Sequence, residues 1–317
     1  MKIGFLFAGQ GSQYVGMGKD LYDTYEEARQ LIDHIHLDID LKKVMFEGPL
    51  EKLTLNRYNQ PAIIAAEMMI CQQLHKANIH AAYCAGLSLG EYGALASAGV
   101  FEAERAIQIV YKRARAMEKA SEGVDSAMAA VLNLPEDQLQ KAVEQARSEG
   151  YVAICNYNCP GQLVISGERK AVEKASSLAL ELGARRVIEL NTAGPFHTAL
   201  LKKAGEELHY YFQHITFHEM KTPVIFNTIA KELDAHDTIA RRLEEQVSHP
   251  VYFEKSIRYM MDHGVDTFIE IGPGKVLSGF VGKIDRKVKR YHIEDKETLE
   301  KTIKELESLC VKEKLFL

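Results

Sequence analysis

The spacing of apolar residues changes period several times along the chain, and each change marks an element. Ile3-Gly4-Phe5-Leu6-Phe7 is a short unbroken apolar run, the pattern of a buried strand, and helical spacing over 18–34 then predicts an amphipathic helix. Over 60–77 the chain is rich in Ala, Ile and Met on nearly every side, which predicts a buried helix. A second short strand, Tyr83-Cys84-Ala85, runs into Gly86-Leu87-Ser88-Leu89-Gly90 and a helix reaching Ala98. Over 102–120 the apolar stripe Ala103, Ala106, Ile109, Val110, Ala114 and Met117 repeats at helical spacing. Arg113 falls within that arc, whereas Lys112, Arg115 and Lys119 point away.

The texture then shifts. Strands over 127–132, 152–157, 163–166 and 186–190, with helices over 135–149 and 170–182, give the order βαββαβ, the split arrangement of a ferredoxin-like unit. Ser121-Glu122-Gly123-Val124-Asp125 and Asn191-Thr192-Ala193-Gly194-Pro195 flank it and are rich in turn formers. The pattern predicts an α/β protein: a hydrolase-like large domain with a parallel sheet core over 1–124 and 195–317, and a ferredoxin-like small domain inserted over 125–194. The cleft between them is the expected ligand site. Further on, the spacing predicts a helix over 238–247, a strand over 266–271 and an amphipathic helix over 298–307.

Composition narrows the classes. With 317 residues, 46% of them hydrophobic, the chain can bury a large core, and a net charge of −5 gives no reason to expect nucleic acid or an anionic membrane as partner. No apolar run approaches membrane-spanning length and the start of the chain lacks a leader pattern, so a cytoplasmic protein is expected. Cys71, Cys84, Cys155, Cys159 and Cys310 are odd in number and lack paired CxxC spacing, predicting small buried hydrophobes rather than a disulfide framework or zinc site.

The chemistry-bearing stretch is Gly86-Leu87-Ser88-Leu89-Gly90. A serine between strand and helix, flanked by glycines that let backbones pass closely, is a nucleophile elbow, and the helix behind it aims N–H groups at whatever the serine attacks. Gly9-Gln10-Gly11-Ser12-Gln13 misses the dinucleotide fingerprint because Tyr14 stands where its third glycine would fall; a side-chain amide there can donate to an oxyanion, or the loop is a plain turn. A buried guanidinium calls for an anion, so Arg113 wants a carboxylate from the protein, such as Glu91, or from a substrate. Among twelve histidines His197 stands apart, following Gly194-Pro195-Phe196 at the domain junction and opening a helix. Gly272-Pro273-Gly274-Lys275 lacks the spacing of a phosphate loop and reads as a tight turn.

Together, Gly9-Gln10-Gly11-Ser12-Gln13, Gln60-Pro61, the elbow around Ser88, Arg113, Asn158-Cys159-Pro160-Gly161-Gln162, Gly194-Pro195-Phe196-His197, Gln246 and Gly272-Pro273-Gly274-Lys275 resemble the malonyl-CoA:acyl-carrier-protein transacylases, in order and spacing over 2–289. The resemblance implies a malonyl group passed from malonyl-CoA to the phosphopantetheine thiol of an acyl carrier protein, without metal or cofactor. Ser88 would be the nucleophile and His197 its base, oriented by the backbone carbonyl of Gln246 rather than by an acid. Gln10 and the Leu89 N–H would hold the oxyanion, Arg113 would clamp the malonyl carboxylate, and Gln60, Asn158 and Phe196 would complete the substrate site. The family usually has histidine where this chain has Leu87, a less polar pocket wall, while a bulky Phe196 goes with malonyl over branched units. An acidic carrier calls for a basic surface, and Lys283, Arg286, Lys287, Lys289 and Arg290 are the densest cationic cluster. A discrete acyltransferase serving a polyketide synthase would look the same, and a thioesterase-like hydrolase shares the elbow and dyad without explaining an inward arginine.

Overall fold

In the computed structural model the backbone is described for residues 1–192 and 194–315, and side chains as far as residue 309. Among these residues the strands are, in chain order, β1 (Ile3–Phe7), β2 (Tyr83–Gly86), β3 (Ser126–Leu132), β4 (Val152–Cys159), β5 (Gln162–Glu168), β6 (Arg186–Glu189), β7 (Val224–Ile225), β8 (Thr267–Ile271) and β9 (Lys289–Ile293). They form a parallel five-stranded sheet, ordered β7-β2-β1-β8-β9, and a separate antiparallel four-stranded sheet, ordered β4-β5-β3-β6.

The parallel sheet is covered on both faces, which is why its central strands read as unbroken apolar runs. Phe5, Phe7, Ile269 and Ile271 face one apolar cluster, and Leu6, Ala85 and Phe268 face another. The same alternation serves the antiparallel sheet: Ala127, Ala129 and Val131 of β3 pack under the helices Glu136–Ala146 and Arg169–Glu181, while Met128 and Ala130 turn to the main core. Every element expected over 127–190 is present, the strands and the second helix within two residues of their expected bounds, while the helix expected over 135–149 runs Glu136–Ala146 and tightens into a 3-10 turn over Arg147–Glu149.

Differences from the expected elements have local causes. The helix expected over 18–34 is two, Lys19–Thr24 and Glu26–His34, separated by Tyr25 in an extended conformation (φ −107°, ψ 128°); both bury the same side, so the apolar rhythm runs across the break. The buried helix starts earlier, spanning Asn56–Lys76, because Asn56, Asn59 and Gln60 are fully buried despite their polarity. The last helix, Lys296–Leu315, is longer than the expected 298–307. β7 has two residues, too few for a pattern, and β9 is an edge strand whose Lys289 and Arg290 are exposed, so it carries charge where a central strand carries apolar residues. His197 precedes the helix Lys202–Phe212 instead of opening it, standing in the left-handed region at φ 60°.

Cys71, Cys84, Cys155 and Cys159 are buried free thiols; the side chain of Cys310, like Ala193 of the expected linker, lies outside the described residues. Among the described residues no helix is long and apolar enough to cross a membrane, and no cluster of His, Cys, Asp or Glu could hold a metal.

Candidate active site

Ser88 sits at the carboxyl end of β2 with φ 54°, a strained value for a residue with a side chain. The glycines around it have little alternative: a Cβ on Gly86 would lie 1.9 Å from the carbonyl carbon of Gly90, and one on Gly90 would lie 2.1 Å from the Phe7 oxygen. The helix Gly90–Ser97 then starts directly behind the serine. The loop after β1 also approaches the elbow closely, since a Cβ on Gly9 would meet the Leu87 carbonyl at 2.9 Å.

His197 Nε2 lies 2.7 Å from Ser88 Oγ, and Nδ1 lies 2.8 Å from the backbone oxygen of Gln246. A carbonyl only accepts, so Nδ1 carries the proton and Nε2 is left as the acceptor facing the hydroxyl. The imidazole is buried, which draws its pKa down to about 4, with the charge of Arg113 as the second cause. His197 is therefore a neutral base across the ordinary pH range.

Arg113 is 1% exposed. Its Nη1 donates to Gln60 Oε1 (2.8 Å), and Nη2 donates to Ser88 Oγ (3.0 Å) and Gln246 Oε1 (3.1 Å), with the Tyr92 ring 5.4 Å away. None of these partners is an anion, and among the described residues Arg113 makes no ion pair. Glu91, the carboxylate suggested by the pattern, instead accepts the Asn227 N–H, and its burial pushes its pKa up to about 8. A second buried arginine, Arg242, which the helical pattern did not single out, has the usual solution: Asp237 at 2.7 Å and Glu245 at 3.0 Å. Arg113 alone of the two meets only neutral groups.

Ser88, His197, Arg113, Gln10, Asn158 and Phe196 line one cavity of about 340 Å³ between the two sheets, its walls otherwise largely apolar, with Met117, Met128, Val164 and Phe280. Gln60 and Gln246 are fully buried behind Arg113, and Leu89 is buried in the elbow. The Gln10 side chain donates to Asn56 Oδ1 (2.9 Å) and so is tied back; the backbone N–H groups of Gln10 and Leu89 have no protein partner among the described residues. The Gln246 side chain does more than the sequence suggested, bridging Arg113 to the Ser88 carbonyl, to which its Nε2 donates at 2.9 Å. The Gly272-Pro273-Gly274-Lys275 turn has φ 114° at Gly272 and 82° at Gly274, and nearby donors are already committed: Gly274 N–H to Glu294, and Leu277 and Ser278 N–H to Glu270.

The acyl transferase domain family matches residues 4–312. The chain belongs to this family of acyltransferase enzymes. It is 42% identical over 308 residues to the malonyl CoA-acyl carrier protein transacylase of Bacillus subtilis, covering 96% of this chain and 97% of that one. The crystal structure of the malonyl CoA-acyl carrier protein transacylase of Clostridium perfringens superposes with a TM-score of 0.94 at 40% identity, over 99% of this chain and 100% of that one. A malonyl-transacylase solved with its holo type II polyketide acyl-carrier protein superposes with a TM-score of 0.92 at 31% identity, over 96% and 100%.

In this acyltransferase the five cations picked out by sequence are exposed but not equivalent. Arg290 folds back, its Nη1 reaching the carbonyls of Asp285, Arg286 and Val288. Lys283 and Arg286 share a cavity of about 500 Å³ with Arg185 and with Arg186, the first residue of β6. Arg185 and Arg186 were invisible as part of this cluster because about a hundred residues separate them from it in sequence. Asn227 was missed altogether: it follows a two-residue strand and carries no motif.

Proposed function

We propose that this acyltransferase moves a malonyl group from malonyl-CoA to the phosphopantetheine thiol of an acyl carrier protein, through a malonyl-serine at Ser88. The observation that carries the reading is a nucleophile–base pair at 2.7 Å on the floor of a cavity whose buried arginine lacks an anion of its own. The relatives' names supply the substrate class.

In the first half, Ser88 Oγ attacks the thioester carbonyl as its proton passes to His197 Nε2. The Oγ–C bond forms, the C–S bond breaks, and the CoA sulfur takes the proton back from His197. In the second half the carrier's thiol gives its proton to His197, its sulfur attacks the acyl-serine carbonyl, the C–Oγ bond breaks, and Ser88 Oγ takes the proton back from His197 Nε2. The oxyanion of each tetrahedral state is held by the backbone N–H groups of Leu89 and Gln10, both free of protein partners. The Gln246 carbonyl keeps His197 in the reactive tautomer, a duty given to an acid in three-membered triads. Arg113 exchanges its Ser88 and Gln246 partners for the malonyl carboxylate in two parallel charge-assisted bonds, while Gln60 stays on Nη1 as support from behind. Asn158 and Phe196 bound the acyl and pantetheine path.

The architectural reading belongs to the same proposal: a hydrolase-like large domain over 1–124 and 195–317, and a ferredoxin-like insert over 125–194. The strand order β4-β5-β3-β6 and the separate apolar cluster of the antiparallel sheet support it. The basic rim of Lys283, Arg286, Lys287, Lys289 and Arg290, extended by Arg185 and Arg186, is the proposed dock for an acidic carrier. A polyketide carrier is the second reading, favoured by the relative solved with such a carrier.

Intact-protein mass spectra test this directly. The wild type exposed to malonyl-CoA gains one malonyl mass, loses it on addition of holo carrier protein, and Ser88→Ala gains none. An adduct that decays in buffer alone makes the protein a hydrolase, and no adduct ends the catalytic reading.

A further inference from the structure

β7 pairs with β2 for two residues only, Val224 with Cys84 and Ile225 with Ala85. There the backbone ladder stops: the Phe226 N–H turns away to the Lys231 carbonyl. The Asn227 side chain takes its place. Oδ1 accepts the Ser88 N–H at 2.7 Å, and Nδ2 donates to the Gly86 carbonyl at 2.8 Å, so one primary amide spans the elbow on both sides of Leu87. Asn227 is itself fully buried and fixed at both ends of its own backbone, its N–H donating to Glu91 Oε2 and its carbonyl accepting the Tyr252 N–H at 2.9 Å. Glu91 lies on the first turn of the helix that follows the elbow, so strand, turn and helix are joined through this one residue.

We infer that Asn227 is a positioning residue for the nucleophile, holding Ser88 in its left-handed conformation and committing the Ser88 N–H so that Leu89 presents the elbow's free donor to the cavity. A serine at φ 54° relaxes unless surrounding bonds over-determine it. The backbone ladder cannot do this, because β2 ends at Gly86. The bond geometry of a side-chain amide can, since it offers a donor and an acceptor in the spacing of a peptide group. Gln246, donating to the Ser88 carbonyl, holds the other side of the same residue.

Since Asn227 acts through Ser88, its role rests on Ser88 being the nucleophile, and the experiment separates the two. Rapid-quench acylation by malonyl-CoA is followed by mass in wild type, Asn227→Ala and Asn227→Asp, with thermal melts alongside. Asn227→Ala lowers the acylation rate constant by about 30-fold or more while half-saturation by malonyl-CoA stays within about threefold, because Arg113 and the cavity walls are untouched. Asn227→Asp supplies a check should the alanine variant unfold. A protonated Asp still accepts the Ser88 N–H and donates to the Gly86 carbonyl, so its rate relative to wild type rises as pH falls. Wild-type acylation with an unchanged rate constant in Asn227→Ala overturns the inference alone, as does an Asn227→Asp rate that keeps a constant ratio to wild type across pH. Absence of any wild-type adduct overturns the reading of Ser88 and this inference with it.

Discussion

Two buried arginines with opposite surroundings make the residue-scale case. Arg242 is neutralised by Asp237 and Glu245, whereas Arg113 is held by two glutamine oxygens and the serine hydroxyl. Desolvation without an anion lowers the Arg113 pKa from its ordinary value, and that charge in turn helps keep imidazolium from forming on His197. Arg113→Ala should therefore show two effects in one set of assays. Malonyl transfer falls by about a hundredfold with the loss of two charge-assisted bonds, and acetyl transfer gains relative to malonyl. The pH profile also moves: His197 titrates near 4 in the intact site, so acylation fails only when pH falls towards that value. Removing one of the two causes of depression raises the His197 pKa, and the acidic limb of Ser88 acylation shifts to higher pH. A mutant that still prefers malonyl, or whose limb stays in place, contradicts the assignment.

At the scale of elements, the elbow works because β2 and the helix Gly90–Ser97 approach within a distance that admits no side chain. Gly86→Ala would place a methyl group 1.9 Å from backbone, where no rotamer offers escape, and should cost about 3 kcal/mol or more and lower the melting temperature. Gly279, exposed within the helix Val276–Ile284 with nothing near its would-be Cβ, is the internal control. Gly279→Ala should stabilise by about 0.5–1 kcal/mol through reduced freedom of the unfolded chain and better helix propensity. Parallel melts of the two variants read the contrast between a glycine required by close approach and one that is not.

For the whole molecule, the two sheets bring Arg185 and Arg186 up to Lys283 and Arg286, making a cationic rim beside the cavity on a chain whose net charge is −5. Local surface potential, rather than net charge, governs encounter with an acidic partner. Reversing Lys283 and Lys287 to glutamate should raise the carrier concentration needed for half-maximal transfer, more at low salt than at high, while leaving malonyl-CoA half-saturation unchanged. Steady-state assays varying each substrate separately measure this, and equal shifts for both substrates would remove the rim from carrier docking. Arg290 is a poorer target, since its guanidinium caps three carbonyls of its own loop.

The strands β1, β2, β3 and β8, the glycine-flanked serine and the inward face of Arg113 were legible because each is encoded by neighbouring residues through a period or a steric requirement. The edge strand β9 and the break at Tyr25 were not, since charge on an edge and a one-residue interruption leave the apolar rhythm unmarked. The groups hydrogen-bonded to Ser88 come from far along the chain: His197 lies 109 positions from it, Asn227 lies 139, and Gln246 lies 158. His197 was marked by its place at the domain junction and Gln246 by the resemblance, whereas nothing local marks Asn227. Only the closing of the parallel sheet and the packing of the antiparallel sheet against it decide which amide meets which backbone group, because hydrogen bonds at that range are chosen by the fold's geometry and not by local propensity.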